Sequence, residues 1–534
     1  MKTRNDSITD SGLDFVKVSG LQFSKDCRPF FVAGFNTHDA VTAAMLTASE
    51  YKVAGGKSGK DQIRDMFRQA ALAGLSVFRM WVHTDDPQFP FQVSAGVYDE
   101  ASFRALDFII EEARRNGLKI LLCFVDNWKY YNGIDQAGLD PEAKKYEVAR
   151  HALFYNDTDC RKLYKSHVSA LVHRKNTFNG RLYRDDPTIF AWDLLNEPRC
   201  ETWRVPECGR ILQKWIEEMS AYVKSIDTNH MVTIGSEGFF KHGSVQEYLN
   251  PQDWAGQMGQ DFLLNHIPEH IDFATIHVWP DTWDRTEENF EAHWIMSHVD
   301  TASFRLGKPV LVEEFGKKLM PNRHNPSSIR VLRDPVFKST YSVVETAIAE
   351  GRGIGGTMFW RWDLPMFLGS GRGEYGVAPG DSTFEYVSQH ATFTNQWISS
   401  QPPRPECQLG CWIPHKSWIS RQCEDLPEVC KAYWQVAEKA NNASKVMREL
   451  RETSILVGGR LISMDGLQVY PSKASCCRPG LGAFDQGCSW TTWWVAGGWR
   501  LEAGGWRLEA GGWNWEYCCL HAGVGLSVSQ GIWE

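Results

Sequence analysis

Between about Phe30 and Trp362 the chain alternates two kinds of pattern. Short runs rich in β-branched and aromatic residues, "PFFVAGFN", "LSVFRMWVH", "KILLCFVDNW", "TIFAWDLLNEP", "MVTIGSEGFF", "FATIHVWP", "PVLVEEFG" and "GTMFWRWD", are almost continuously apolar, as strands buried on both faces are. Between them lie longer segments such as "KDQIRDMFRQAALAG" and "ASFRALDFIIEEARRNG". Their apolar residues recur at every third or fourth position and a glycine closes each, which predicts amphipathic helices with a C-terminal cap. Strand and helix in strict alternation imply parallel pairing. Eight such strands predict an α/β protein of the (β/α)8 barrel class. The alternative is an open doubly wound sheet, but no Gly-rich phosphate-binding turn follows the first strand.

The pattern stops after about Ser400. "QPPRPECQLGCWIPHKSWISRQC" reads as a Pro-rich linker entering a cysteine cluster, and "CKAYWQVAEKANNASKVMRELRE" as a helix-like piece. Beyond it, "GGWRLEAGGWRLEAGGWNWE" repeats every seven residues. Paired glycines cost about 1 kcal/mol each in a helix, so this is no coiled coil. The expected organisation is an N-terminal segment over 1–14, a catalytic barrel over 15–400, a cysteine-rich extension over 401–450, and a poorly ordered tail over 451–534. Such a tail is also what a short tandem repeat in the gene would encode if a normal end were read through.

Composition narrows the function. The formal charge of -8 offers no basic surplus for nucleic acid or an anionic membrane, so a neutral polar substrate is expected. Aromatic residues make up 13% of the chain, a resource for stacking on sugar rings, although many of the tryptophans fall in the tail. No stretch approaches the roughly 20 apolar residues of a membrane span, and the first residues show no secretory apolar region. The cysteines point the other way. Cys407, Cys411, Cys423 and Cys430 suggest a disulfide-stapled segment, with zinc binding as the alternative, and Cys200 with Cys208 could close a loop. Cys123 and Cys160 are expected to be buried thiols, and Asn5, Asn156 and Asn442 begin glycosylation sequons.

A barrel presents its reactive groups at the C-terminal ends of its strands. Polar residues gather there: Asn36 after the first strand, Arg79, Trp81 and His83 on the second, Asp126, Asn127 and Trp128 on the third, and Asn196 and Glu197 on the fourth. His277 and Trp279 end the sixth, Glu313 and Glu314 the seventh, and Trp360, Arg361 and Asp363 the eighth. Side chains alternate along a strand, so only one of Glu313 and Glu314 is expected to face the mouth. Carboxylates on strands four and seven suit glycosidic cleavage, one protonating the leaving oxygen and the other meeting the anomeric carbon. Neighbouring negative charge would raise the pKa of Glu197, and Arg79 would keep Glu314 ionised.

From about Phe15 to Ser400, through "FVAGFNTH", "VFRMWVHTD", "NTFNGRLYRDDPTIFAWDLLNEPRC", "ATIHVWPDTW" and "VLVEEFGKK", the chain resembles glycoside hydrolase family 5, and within it the plant and fungal endo-β-1,4-mannanases. The resemblance implies retaining hydrolysis inside mannan, glucomannan or galactomannan by a secreted monomer needing no metal or organic cofactor. It makes Glu197 the acid/base and Glu314 the nucleophile, puts Asn196 on the sugar 2-hydroxyl, and has Arg79 and His277 support the nucleophile. Trp81, Trp279 and Trp360 would line the subsites, with Asn36 and Trp128 as further candidates. A β-1,4-glucanase or exo-glycosidase on the same scaffold, or a non-catalytic carbohydrate-binding protein, is the alternative. One position departs from the family: a tyrosine that bonds the nucleophile usually stands where this chain has Trp279. An indole donates one hydrogen bond and accepts none.

Overall fold

A computed structural model describes residues 15–401 except 27, 48–55, 83–88, 129–133, 135–149, 286, 288, 320–325 and 366–373, together with the backbone of seven short strands beyond 453. His83, the cysteine cluster, and the sequons at Asn5 and Asn442 lie outside the described residues.

Eight parallel strands carry the fold: β1 (Val32–Asn36), β2 (Val77–Trp81), β3 (Lys119–Cys123), β4 (Ile189–Asp193), β5 (Met231–Thr233), β6 (Ala274–Val278), β7 (Val310–Phe315) and β8 (Ile354–Phe359). They pair in the order β5-β4-β3-β2-β1-β8-β7-β6, so the first strand lies beside the eighth. The remaining seam is closed by fewer, partly side-chain bonds. Asp272 N donates to Val232 O at 2.8 Å and Thr233 Oγ1 to Phe273 O at 3.0 Å. Ser236 N donates to Thr275 Oγ1 at 3.0 Å and His277 N to Glu237 O at 3.2 Å. Every residue of all these strands but Lys119 is buried, which is why their sequences read as apolar runs.

The predicted helices form at Gly59–Leu72 and Glu100–Arg115. Ser58 and Asp99 cap their N-termini by accepting from the backbone N–H of Asp61 and Ser102. At the N-terminal end of the barrel, strands Lys17–Ser19, Gln22–Lys25 and Arg28–Phe30 form an antiparallel sheet. Its Phe23 packs edge-on against Phe190 and Phe273, each at 5.1 Å, and plugs that end with Val32, Val77, Leu121 and Leu311. The opposite end is left to the loops.

The chain divides into two compact units, the second beginning at Ile413. Taken by itself, the second contains antiparallel pairs, among them Thr492–Val495, Trp499–Glu502 and Gly505–Leu508, the last two within the seven-residue repeat. Cys200 and Cys208 form the disulfide the spacing suggested, and Cys123 and Cys160 are buried free thiols.

Candidate active site

The site is assembled at the C-terminal ends of the strands. Just past β4, Asn196 N donates to Val125 O at 2.9 Å and Glu197 N to Gly235 O at 2.7 Å, fastening this stretch to both neighbouring strands. Glu197 takes a left-handed backbone, φ 50°, a conformation that costs a non-glycine residue about 1–3 kcal/mol and recurs at functional sites. Gly235 permits the close approach: a Cβ there would lie 2.3 Å from Asp193 Oδ1 and 2.7 Å from Leu195 O, on a backbone with φ 80°.

On β7 the expected alternation fails. The register to β6 passes from Ile276 opposite Val312 to His277 opposite Glu314, so Glu313 is an extra residue, and the register to β8 slips over the same stretch. This bulge turns both carboxylates inward, as bulges beside active sites do. The carbonyl of Glu313 is not orphaned, because Asn36 Nδ2 donates to it at 3.0 Å and to Phe359 O at 3.2 Å.

Arg79 is fully buried and ties the strands together. Its Nη1 donates to Glu314 Oε1 at 2.6 Å and to Asn36 Oδ1 at 3.3 Å. Its Nη2 donates to Asp193 Oδ2 at 2.7 Å and to Asn196 Oδ1 at 2.9 Å, and lies 3.3 Å from Glu313 Oε2. His277, also fully buried, presents Nδ1 to Glu197 Oε1 at 2.7 Å and to Glu314 Oε2 at 3.5 Å, while Nε2 meets Glu313 Oε2 at 3.3 Å. Trp128 Nε1 donates to the other oxygen of Glu197 at 2.6 Å. Ligand-capable atoms of Glu197, His277 and Glu314 all lie within 4.8 Å of one another. Such a set could also hold a cation, but Arg79 and His277 already supply positive charge to these carboxylates.

Buried charge sets the protonation order. Among the described residues, Asp193, Glu197, Glu237, Glu313 and Glu314 pair with only three cations, Arg79, Arg199 and His277. Burial, with the charges of Glu197 and Glu313 adding to it, raises Glu314 to about 7 against the pull of His277 and Arg79. Burial and Glu313 bring Asp193 to about 6, and burial brings Asp126 to about 8. Burial acts the same way on Glu197, but His277, Arg199 and Trp128 outweigh it and hold that carboxyl below its ordinary value. For His277 burial opposes the cation, yet Glu314, Glu197 and Glu313 raise its pKa well above 6.5. This order reverses the one expected from sequence. The imidazole sits on Glu197 rather than Glu314, and Arg79 alone does not offset the surplus of anions.

A cavity of roughly 510 Å³ opens over these groups. Asn196, Glu197, Glu314, Trp128, Trp279 and Trp360 line it. Arg79, His277, Trp81 and Asn36 do not; they stand behind the lining. Trp81 donates Nε1 to Asp126 Oδ2 at 2.5 Å and packs edge-on to Trp360 at 5.4 Å, so it backs the cavity wall rather than forming it. Asn36 spends its amide on strand carbonyls. Trp279 packs against Trp360 and Tyr375 at 6.4 and 5.1 Å, and no hydrogen bond joins it to Glu314.

Residues 13–372 match the family model described as GH family 5 beta-mannosidase-like. The chain belongs to glycoside hydrolase family 5. Among its relatives, mannan endo-1,4-beta-mannosidase 7 of Arabidopsis thaliana is 35% identical over 394 residues, covering 72% of this chain and 86% of the relative. Mannan endo-1,4-beta-mannosidase 1 of Oryza sativa subsp. japonica is 35% identical over 379 residues, 70% of this chain and 83% of the relative. The crystal structure of the endo-1,4-beta-mannanase from Rhizomucor miehei superposes with a TM-score of 0.58 at 27% identity, covering 72% of this chain and 99% of that one.

The family 5 site also has members that sequence reasoning missed. Arg199 forms a two-bond ion pair with Glu237 and lies over the rings of Trp128 and Trp254 at 4.8 and 5.2 Å. Trp203, on the loop closed by the Cys200–Cys208 disulfide, lines the cavity with 52% of its surface exposed. The signals were an arginine two residues after Glu197 and a tryptophan between two near cysteines.

Proposed function

We propose that this family 5 enzyme hydrolyses β-1,4-mannosidic bonds within mannan, glucomannan and galactomannan with retention of configuration, Glu197 acting as acid/base and Glu314 as nucleophile. The observation that carries this reading is the pair of carboxylates, one just past β4 and one on β7, whose oxygens approach within 4.8 Å. That separation belongs with direct attack on the anomeric carbon; inverting enzymes need about 6.5–9.5 Å to admit a water. Arg79 holds Oε1 of Glu314, leaving Oε2 to attack while Glu197 protonates the departing oxygen. Water then enters, Glu197 takes its proton, and the sugar leaves Glu314. Asn196, oriented by Arg79 and Asp126, is placed to bond the 2-hydroxyl.

Aromatic walls flank the pair from opposite sides of the barrel, Trp360, Trp279 and Tyr375 near β8, and Trp254 and Trp203 near β4 and β5. Sugars bound on both sides of the cleaved bond are what an endo-acting enzyme requires. The Cys200–Cys208 disulfide and the exposed sequon at Asn156 favour an oxidising, extracellular location. No helix among the described residues is long and apolar enough to cross a membrane. We assign the enzyme no metal or organic cofactor and read it as a monomer.

The test is viscometry on galactomannan with NMR of the first-formed anomer. The wild type should thin the polymer and release β-anomers first. Glu197→Gln should lose at least about a hundredfold in polymer hydrolysis, the usual scale of a general acid, while still binding. Unchanged hydrolysis by that variant would overturn the assignment of the acid.

A further inference from the structure

Glu313 has no part in the double displacement, yet it is fully buried against it. The β7 bulge places this extra carboxylate behind His277, with Oε2 3.3 Å from Nε2. The imidazole thus has a carboxylate oxygen on each nitrogen: Glu313 on Nε2 and, at 2.7 Å, Glu197 on Nδ1. A carboxylate facing Nε2 requires a proton there. Nδ1 is then left to share a single further proton with Glu197 Oε1 across the 2.7 Å between them.

We propose that Glu313 is a positioning residue for the acid: by fixing the Nε2–H form of His277 and adding negative charge behind the ring, it makes the His277–Glu197 pair the store of the proton delivered to the leaving group. This rests on Glu197 being the acid/base. In the free enzyme the shared proton lies on Nδ1, in keeping with the raised pKa of His277 and the lowered one of Glu197. During glycosylation the proton passes from Nδ1 to Oε1, and Glu197 protonates the glycosidic oxygen as the C–O bond breaks and Glu314 bonds the anomeric carbon. His277 is left neutral, its Nε2–H still on Glu313. During deglycosylation Glu197 takes a proton from the attacking water and the pair is restored, so the cycle consumes no proton. The charged groups facing this relay are Arg79 from β2, Asp126 beyond β3, Asp193 from β4 and Arg199 beyond it, Glu237 beyond β5, and Glu314 on β7.

The experiment combines Glu313→Gln with nitrogen NMR of His277 in the full-length protein, assigned against His277→Gln. In the wild type Nε2 should remain protonated from pH 5 to 8; an unprotonated Nε2 at pH 7 overturns the proposal whether or not the variant folds. In Glu313→Gln the loss of a nearby anion should lower the proton affinity of the pair, moving the alkaline limb of kcat/KM on manno-oligosaccharides down by about 1 unit or more. A limb that stays in place in a variant melting like the wild type also overturns it. If the wild type cleaves no β-mannan, the functional reading fails, while the NMR titration still decides the role of Glu313.

Discussion

Replacing Glu314 by Gln should abolish hydrolysis and yet stabilise the protein at alkaline pH. The reason is the surplus of anions around Arg79 and His277, which raises the Glu314 carboxyl from 4.5 to about 7. A carboxyl raised in the folded state lends stability that is complete below its ordinary pKa and is lost as pH rises through the folded value. The rise is roughly two and a half units, and at about 1.4 kcal/mol per unit the wild type gives up on the order of 3 kcal/mol between pH 4.5 and 8. Gln does not titrate, and its amide oxygen can still accept the bond from Arg79. Unfolding entropy for a barrel of about 390 residues is near 0.8 kcal/mol per degree, which converts that energy into a Tm difference of about 4 °C. Calorimetry at pH 4.5 and pH 8 should find the variant equal to the wild type at the lower pH and about 4 °C higher at the upper. A difference that does not grow with pH would refute the claim that Glu314 is held as a strained anion.

Two further substitutions probe neighbours of this cluster. Trp279→Tyr should restore a hydroxyl donor for the nucleophile; a bond to the ionised carboxylate favours it, so the acid limb of kcat/KM should move down by about 1 unit, and an unmoved limb would show that the tyrosine does not reach Glu314. Replacing both Cys200 and Cys208 by Ser opens a loop whose ends are 8 residues apart, worth about 2.5 kcal/mol of chain entropy. Tm should fall by about 3 °C, and KM for long manno-oligosaccharides should rise as Trp203 loses its support; an unchanged Tm would place the stability of that loop in its backbone bonds to Gln257 and Met258.

The barrel was legible because strands buried on both faces leave nearly uninterrupted apolar runs, and the positions of the Glu197 and Glu314 carboxylates because they end two of those runs. β5 was read too long: "MVTIGSEGFF" keeps regular strand only over Met231–Thr233, since Gly235 and Gly238 take positive φ to bring the chain close to β4 and β6. Trp81 and Asn36 were read as sugar contacts because strand-end position says which end of the barrel a residue occupies, not its depth. Trp81 packs behind Trp360, and Asn36 donates its amide to the carbonyls of Glu313 and Phe359.

The bulge is the feature that a period of two cannot reveal, and the chemistry turns on it. With regular alternation, one of Glu313 and Glu314 would face the surrounding helices, where a charge has no compensation, and His277 would lack a carboxylate on Nε2. One inserted residue instead gathers both acids against Arg79 and His277. Buried ion pairs of this kind contribute little net stability once desolvation is counted. The cluster is therefore better understood as a device for setting protonation than as a brace for the fold. Asn36 follows from the same logic: its buried amide donates to the carbonyl of the inserted Glu313, so the first strand underwrites the geometry of the seventh from behind the cavity lining.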